Sequence, residues 1–93
     1  MKNKIEQTAE ILKALAHPTR LAIIIGLLKS NGECNVTIMV EKLGLSQPNI
    51  SQHLTILRTA GIIEGYKKGS NVCYKVIDDK AKKLIECMKI EEE

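Results

Sequence analysis

The chain has 93 residues, of which 44% are hydrophobic and 27% charged, and its formal net charge is +3. This length allows one small domain, residues 1–93, whose modest core would gain from a shared dimer core. The positive charge is compatible with a nucleic-acid partner, and three widely spaced cysteines favour a reducing cytoplasm over a disulfide framework. No apolar run approaches the roughly 20 residues of a membrane-spanning helix, so we expect no membrane partner.

Two helices are predicted at the start of the chain. Apolar residues recur at helical spacing across residues 4–16, and Pro18 ends this segment because the residue before a proline is pushed out of the helical region. The same proline suits the first position of a second helix, residues 18–30, where a missing N–H costs nothing. Asn31-Gly32 favours a left-handed end to that helix.

The middle of the chain predicts a helix-turn-helix. Asn35 can cap a third helix over residues 36–43. A fourth helix begins after Ser46 and is expected to run to about Ala60. Only Gly44-Leu45 separates these helices, which is the short glycine-containing turn of a helix-turn-helix.

Ser46 has a particular role at the start of the fourth helix. The hydroxyl of such a cap normally accepts a hydrogen bond from the backbone N–H of the residue two or three positions later. Because Pro48 has no N–H, we expect the donor to be the N–H of Asn49. This helix N-terminus, with Ser46 and Gln47, is also a candidate phosphate site.

After the fourth helix the hydrophobic pattern changes from a helical period to a period of two residues. Residues 62–67 and 71–77 flank Lys68-Gly69-Ser70, which predicts a β-hairpin that pairs Glu64 with Lys75 and Tyr66 with Cys73. Asp78 or Asp79 opens a last helix with Ala81, Leu84, Ile85 and Met88 on one face. The predicted fold is therefore mostly α with a β-hairpin wing, a winged helix-turn-helix in the order α1-α2-α3-α4-β1-β2-α5.

The fourth helix is unusually polar outside its apolar face. Ile50, Leu54 and Leu57 share one side and are expected to pack on the second and third helices. The other side carries short uncharged donors and acceptors, which suit the base edges of a major groove, while nearby cations would supply salt-sensitive phosphate affinity. The predicted DNA-binding residues are Ser46, Gln47, Asn49, Ser51, Gln52, Thr55, Arg58, Lys67 and Lys68.

Three segments together resemble a known family. "ALAHPTRLAIIIGLL", "LGLSQPNISQHLTILRTAGII" and "KKGSNVCYKV" are similar to the ArsR/SmtB winged-helix repressors, and the resemblance covers roughly residues 9–78. It implies a homodimer formed by the first and last helices, a recognition helix at the fourth position and a wing over residues 62–76. It also implies binding to an inverted-repeat operator, with release by a metal, metalloid or thiol-reactive inducer.

The standard metal sites of that family do not carry over. Its arsenic, lead and cadmium sensors have "CVC" at the start of the third helix, where this chain has "ECNVTIM", with Asn35 and Thr37 at the ligand positions. Its zinc and nickel sensors use Asp and His on the last helix, which here has no histidine. We therefore assign no metal ligand and no certain cofactor, and keep metal, metalloid or thiol modification at cysteine as hypotheses.

Cys34 and Cys87 are the candidate sensor thiols. Cys34 precedes the Asn35 cap, where a helix N-terminus can stabilise a thiolate, although it can equally be a small apolar residue packed against Met39. Some family members join a cysteine near the second helix to one on the last helix, and Cys34 and Cys87 resemble that arrangement loosely. Cys73 is expected to be structural. All three thiolates could also bind arsenite, but nothing in their spacing brings them together.

Two further residues have open roles. Arg20 is expected to form a salt bridge with a carboxylate, with a phosphate contact as the alternative. His53 lies at the margin of the apolar face and is expected to be half-buried with a local hydrogen bond or to contact DNA, and no second histidine lies at ligand spacing. No catalytic constellation is present, so we expect no enzyme, and the alternative to a DNA-binding regulator is a winged-helix protein-interaction module.

Overall fold

The computed structural model describes residues 3–30 and 34–89. Within them the chain forms five helices and one two-stranded antiparallel sheet. The elements are α1 (Lys4–Leu15), α2 (Pro18–Lys29), α3 (Val36–Leu43), α4 (Gln47–Thr59), β1 (Ile63–Lys68), β2 (Asn71–Val76) and α5 (Asp79–Met88). This order confirms the predicted winged helix-turn-helix. The expected end of the second helix at Asn31-Gly32 lies outside the described residues.

The caps of the helix-turn-helix form as predicted. The Asn35 side chain accepts from the Ile38 N–H at 3.0 Å, and the Ser46 hydroxyl accepts from the Asn49 N–H at 3.3 Å. Gly44 ends α3 in the left-handed region, with φ of 68°, which a residue without a Cβ adopts at little cost. The turn between α3 and α4 is therefore held at both ends by local contacts.

Several predicted boundaries shift by one residue. α1 ends at Leu15 because Ala16, with ψ of 59°, has already left the helical region. α2 ends at Lys29, and Ser30 serves as its cap. The strands begin at Ile63 and end at Val76 because the Ile62 carbonyl instead accepts from the N–H groups of Ile77 and Asp78, which closes the base of the hairpin.

The core is aliphatic and is centred where α2, α4 and β1 meet. Its largest fully buried side chains are Ile24, Ile50, Leu57, Ile62 and Ile63. Burying a side chain of this size contributes roughly 1.5–3 kcal/mol. Because these residues come from the second helix, the fourth helix, the start of the first strand and the residue before it, they fix α4 relative to both the rest of the bundle and the hairpin.

The hairpin has the predicted register. Glu64 lies opposite Lys75, with a 3.3 Å ion pair between them, and Tyr66 lies opposite Cys73. The base of β2 also contacts the start of α3, because the Tyr74 N–H donates to the Cys34 carbonyl at 3.2 Å. The wing is therefore attached directly to the helix-turn-helix.

The terminal helices expose apolar side chains. On α1, Ile5 and Leu12 are 79% and 49% exposed, and on α5, Leu84 and Met88 are 37% and 61% exposed. Ala81 and Ile85 on the same α5 stripe are buried in the core. Over the described part of the chain no single helix has the length and apolar character to cross a membrane; only the bent pair of α1 and α2 would do so on length and composition.

Candidate nucleic-acid interface

α4 divides into a buried side and an exposed side. Ile50, Leu54 and Leu57 are at most 2% exposed, which confirms that they pack into the core. Every residue of the predicted DNA-binding set is exposed. The structure thus presents a row of polar side chains on a helix whose opposite face is immobilised by packing. Ser46, Gln47, Asn49, Ser51, Gln52, Thr55 and Arg58 belong to α4 and its cap, and Lys67 and Lys68 to the wing.

Thr55 differs from its polar neighbours in one respect. Its hydroxyl donates to the Ser51 carbonyl at 2.9 Å, one turn earlier in the helix. The proton is therefore engaged, and the side chain offers only oxygen lone pairs and a methyl group outward. Gln52, whose amide carries both donors and an acceptor, is the better candidate for a bidentate contact with a base.

The N-terminus of α4 is a weaker phosphate site than expected. Of the first four backbone positions, Pro48 has no N–H, and the N–H groups of Asn49 and Ile50 donate to the Ser46 hydroxyl and carbonyl. This leaves the Gln47 N–H for a phosphate. One amide supplies far less anion affinity than the usual cluster at a helix start.

Cations lie at the two ends of the exposed surface. Arg58 is exposed in the last turn of α4, and Lys67 and Lys68 are exposed at the end of β1, next to the hairpin turn. Lys75 is differently placed: its ammonium pairs with Glu64 and lies 5.6 Å from the centre of the Tyr66 ring. Arg58, Lys67 and Lys68 are exposed, as their predicted role in phosphate contacts requires.

Arg20 joins three elements in a way that sequence reasoning missed. Its Nε donates to the Ala14 carbonyl at 2.5 Å, and its Nη1 lies 3.3 Å from Nδ1 of His53 on α4. The predicted carboxylate partner is wrong. The physical reason is that the Ala14 carbonyl has no donor four residues later, where Pro18 stands, and the guanidinium fills that place.

Two histidines distant in the sequence are in contact. The rings of His17 and His53 have centroids 4.6 Å apart, and His17 Nδ1 accepts from the Thr19 N–H to cap α2. Burial lowers the pKa of His53, and the neighbouring His17 and Arg20 lower it further. His53 is half-buried as expected, but the expected local hydrogen bond is wrong, because its polar contact is with Arg20, 33 residues away in the chain.

Comparison with known proteins places this arrangement in a family. Residues 17–65 match the family model described as bacterial regulatory protein, arsR family. The chain belongs to the ArsR family. It is 44% identical over 82 residues to an uncharacterised HTH-type transcriptional regulator of Methanocaldococcus jannaschii, covering 88% of this chain and 91% of that one. It is 38% identical over 88 residues to the biofilm growth-associated repressor of Agrobacterium fabrum, covering 95% and 74%.

A solved structure shows the same similarity. HlyU from Vibrio cholerae superposes with a TM-score of 0.84 at 33% sequence identity, over 95% of this chain and 94% of that chain. The helix-turn-helix and wing of this ArsR-family chain are therefore those of a winged-helix transcriptional regulator.

The cysteines of this ArsR-family member occupy different environments. Cys34 and Cys73 are buried, and Cys87 is exposed on α5. Burial raises the pKa of Cys34, an effect that Lys42 only partly offsets. The expectation that the α3 N-terminus favours the Cys34 thiolate is therefore wrong in this conformation, because desolvation of the buried thiol outweighs the nearby positive charge of Lys42.

The structure does not assemble a metal site from the residues it describes. No group of three or more His, Cys, Asp or Glu side chains converges within residues 3–30 and 34–89. Cys34 and Cys73 are brought together, since β2 bridges to the start of α3 through Asn35 and Cys73. Cys34 and Met39 are both buried in the main core, as the alternative apolar role of Cys34 requires.

Proposed function

We propose that the protein is a homodimeric, cytoplasmic DNA-binding repressor without enzymatic activity, in which residues 1–93 form one domain. α4 lies in the major groove of an inverted-repeat operator, and the wing contacts the flanking phosphates. A small inducer releases the complex. The observation that carries the proposal is the exposed polar row of α4, held rigidly by three buried side chains on its other face.

The dimer is supported by the exposed apolar residues of the terminal helices. Both terminal helices expose large apolar side chains, although a chain of this length has only a small core. They are Ile5 and Leu12 on α1, and Leu84 and Met88 on α5. Pairing these helices across a twofold axis would bury them. It would also place the two α4 helices about one duplex turn apart, ~34 Å, as half-sites of an inverted repeat require.

Recognition of bases by α4 is tested with Gln52→Ala. Affinity is measured for a duplex that the protein selects from a random pool and for an unrelated duplex of equal length. We expect the selected duplex to lose roughly 5- to 150-fold, the value of about 1–3 kcal/mol for one bidentate base contact. The unrelated duplex should lose little. Gln7→Ala on α1 is the matched control and should change neither.

Contacts between the wing and phosphates are tested through salt dependence. Lys67→Gln and Lys68→Gln should each reduce the slope of log affinity against log salt by about 1, and should do so for both duplexes. Equal losses on both duplexes for Gln52→Ala would refute base recognition by α4. Salt-independent or undetectable DNA binding by the wild type would favour the protein-interaction module instead.

A further inference from the structure

A cavity of about 570 Å³ opens between α2 and α3 and reaches Lys42 and Leu43 at the C-terminal end of α3. Its walls are mainly apolar and include Ile23 from α2 and Ile38 and Met39 from α3. Cys34 closes one part of the wall and is itself buried. Volumes of 300–1,000 Å³ with apolar walls are typical of sites for small molecules.

Gly26 in the cavity wall has no structural requirement to be glycine. It lies in the middle of α2, among isoleucines and leucines, and its backbone is not in the left-handed region. A Cβ built there meets nothing within 4 Å. Glycine inside a helix costs about 0.5–1 kcal/mol relative to alanine. The contribution of Gly26 is that, without a side chain, it leaves the cavity open at this point.

The polar part of the cavity is positively charged. Lys29 from α2 and Lys42 from α3 both line it, and no Asp or Glu does so among the residues that the structure describes. Lys42 also acts to lower the pKa of the Cys34 thiol in the wall, although burial outweighs this effect and raises the pKa overall. An apolar space with the Lys42 ammonium in its wall matches a ligand with an apolar body and an anionic head.

We propose that the α2–α3 cavity binds a small amphipathic carboxylate, whose chain packs against Ile23, Ile38 and Met39 and whose carboxylate pairs with Lys42. Binding of this ligand does not require DNA. Since only Gly44, Leu45 and the cap Ser46 join α3 to α4, a ligand wedged against α3 also shifts the recognition helix. The effect on the recognition helix rests on the proposed function, and it makes an amphipathic carboxylate the class of inducer.

Binding is tested by calorimetry with decanoate, kept as monomer below its micelle-forming concentration. We expect saturable binding with a Kd of roughly 0.1–1 mM, the range for a ligand of about a dozen non-hydrogen atoms. Decyltrimethylammonium, with the same chain length and the opposite charge, should bind at least tenfold more weakly. Equal binding of both amphiphiles would overturn the proposal, because it would reflect non-specific adsorption to apolar surface.

Two glycine variants test the place of binding. Gly26→Leu fills the cavity and should weaken decanoate binding at least tenfold. Gly26→Ala adds one methyl group and should weaken it by no more than about threefold while raising the melting temperature. Undiminished binding to a folded Gly26→Leu protein would overturn the site. If that variant does not fold, the methyl NMR shifts of Ile23, Ile38 and Met39 in the wild type decide: their failure to respond to decanoate overturns it equally.

Two lysine variants test the head-group contact. Lys42→Gln should weaken decanoate binding about two- to fivefold, as for exposed ion pairs. Lys80→Gln on α5 removes the same charge elsewhere and should have no effect. If Lys42→Gln loses no more affinity for decanoate than Lys80→Gln does, the carboxylate contact is refuted.

The link to DNA is measured separately, as the operator affinity with and without saturating decanoate. We expect at least a tenfold loss in the wild type and none in Gly26→Leu. A ligand that binds in the cavity without changing operator affinity refutes the inducer role alone. Failure to bind any operator in the absence of decanoate refutes the proposed function and leaves the binding result standing.

Discussion

Replacing Arg20 with methionine removes the two polar contacts of its guanidinium while keeping most of its apolar stem. The more valuable contact is the hydrogen bond to the Ala14 carbonyl, 2.5 Å from Nε. That carbonyl cannot find its usual helical donor, because Pro18 occupies the position four residues later. The variant therefore leaves a half-buried carbonyl at the C-terminus of α1 to be satisfied by water alone.

The expected loss follows from these contacts. A hydrogen bond from a charged donor contributes about 1.5–3 kcal/mol, and the longer contact with His53, at 3.3 Å, adds a few tenths. Partial exposure of Arg20 reduces the total, so we expect a loss of about 2 kcal/mol. For a domain of this size that lowers the melting temperature by roughly 8–16 °C and removes a substantial part of a total stability of about 5–14 kcal/mol.

The assay is urea and thermal unfolding followed by circular dichroism, at one fixed protein concentration because a dimer's melting temperature depends on it. Arg58→Met is the matched control: Arg58 is exposed on α4, and its loss should change the free energy of unfolding by less than about 0.5 kcal/mol. Arg20→Lys keeps the charge near the helix end but cannot reach both partners, so it should lose about half as much. An Arg20→Met protein as stable as the Arg58→Met protein would refute the role assigned to Arg20.

Three other predictions concern pH, thiols and assembly. The folded protein lowers the pKa of His53, so its neutral form is favoured in the native state. The contribution of His53 to the free energy of unfolding should be complete above about pH 6.5, the unfolded pKa, and should be lost as the pH drops through the folded pKa. His53→Gln should flatten this pH dependence, and an unchanged profile would contradict the prediction. Iodoacetamide should alkylate exposed Cys87 at least tenfold faster than buried Cys34, whose pKa is raised, as followed by peptide mass spectrometry; equal rates would contradict the buried position. Leu12→Glu and Met88→Glu should sediment as monomers at concentrations where the wild type is a dimer, and unchanged sedimentation would place the interface elsewhere.

Local contacts were predictable from sequence because both partners lie within a few residues. The Asn35 and Ser46 caps form as expected, and the donor to Ser46 is the Asn49 N–H because Pro48 has none. The hairpin register also followed from its turn, since a two-residue loop at Gly69-Ser70 leaves one pairing that keeps the alternation in phase.

Contacts between distant segments were not predictable in the same way. Arg20 was expected to pair with a carboxylate, but its partner is a backbone carbonyl made available by Pro18, and a carbonyl carries no sequence signature. The approach of His17 to His53 depends on how α2 crosses α4. Cys34 was judged from its place before α3, whereas its thiol is governed by the burial that accompanies docking of β2. The exposed polar set on α4 needed only helical periodicity, and its DNA contacts stay a prediction.

The hydrogen bond from the Tyr74 N–H to the Cys34 carbonyl has a consequence for biosynthesis. α3 and α4 leave the ribosome well before β2, so the start of α3 lacks this donor until the second strand of the wing has emerged. Closing a long chain segment to make that contact carries an entropic cost that only the finished hairpin can offset. A nascent chain that has exposed α4 therefore still lacks this contact between the start of α3 and the wing.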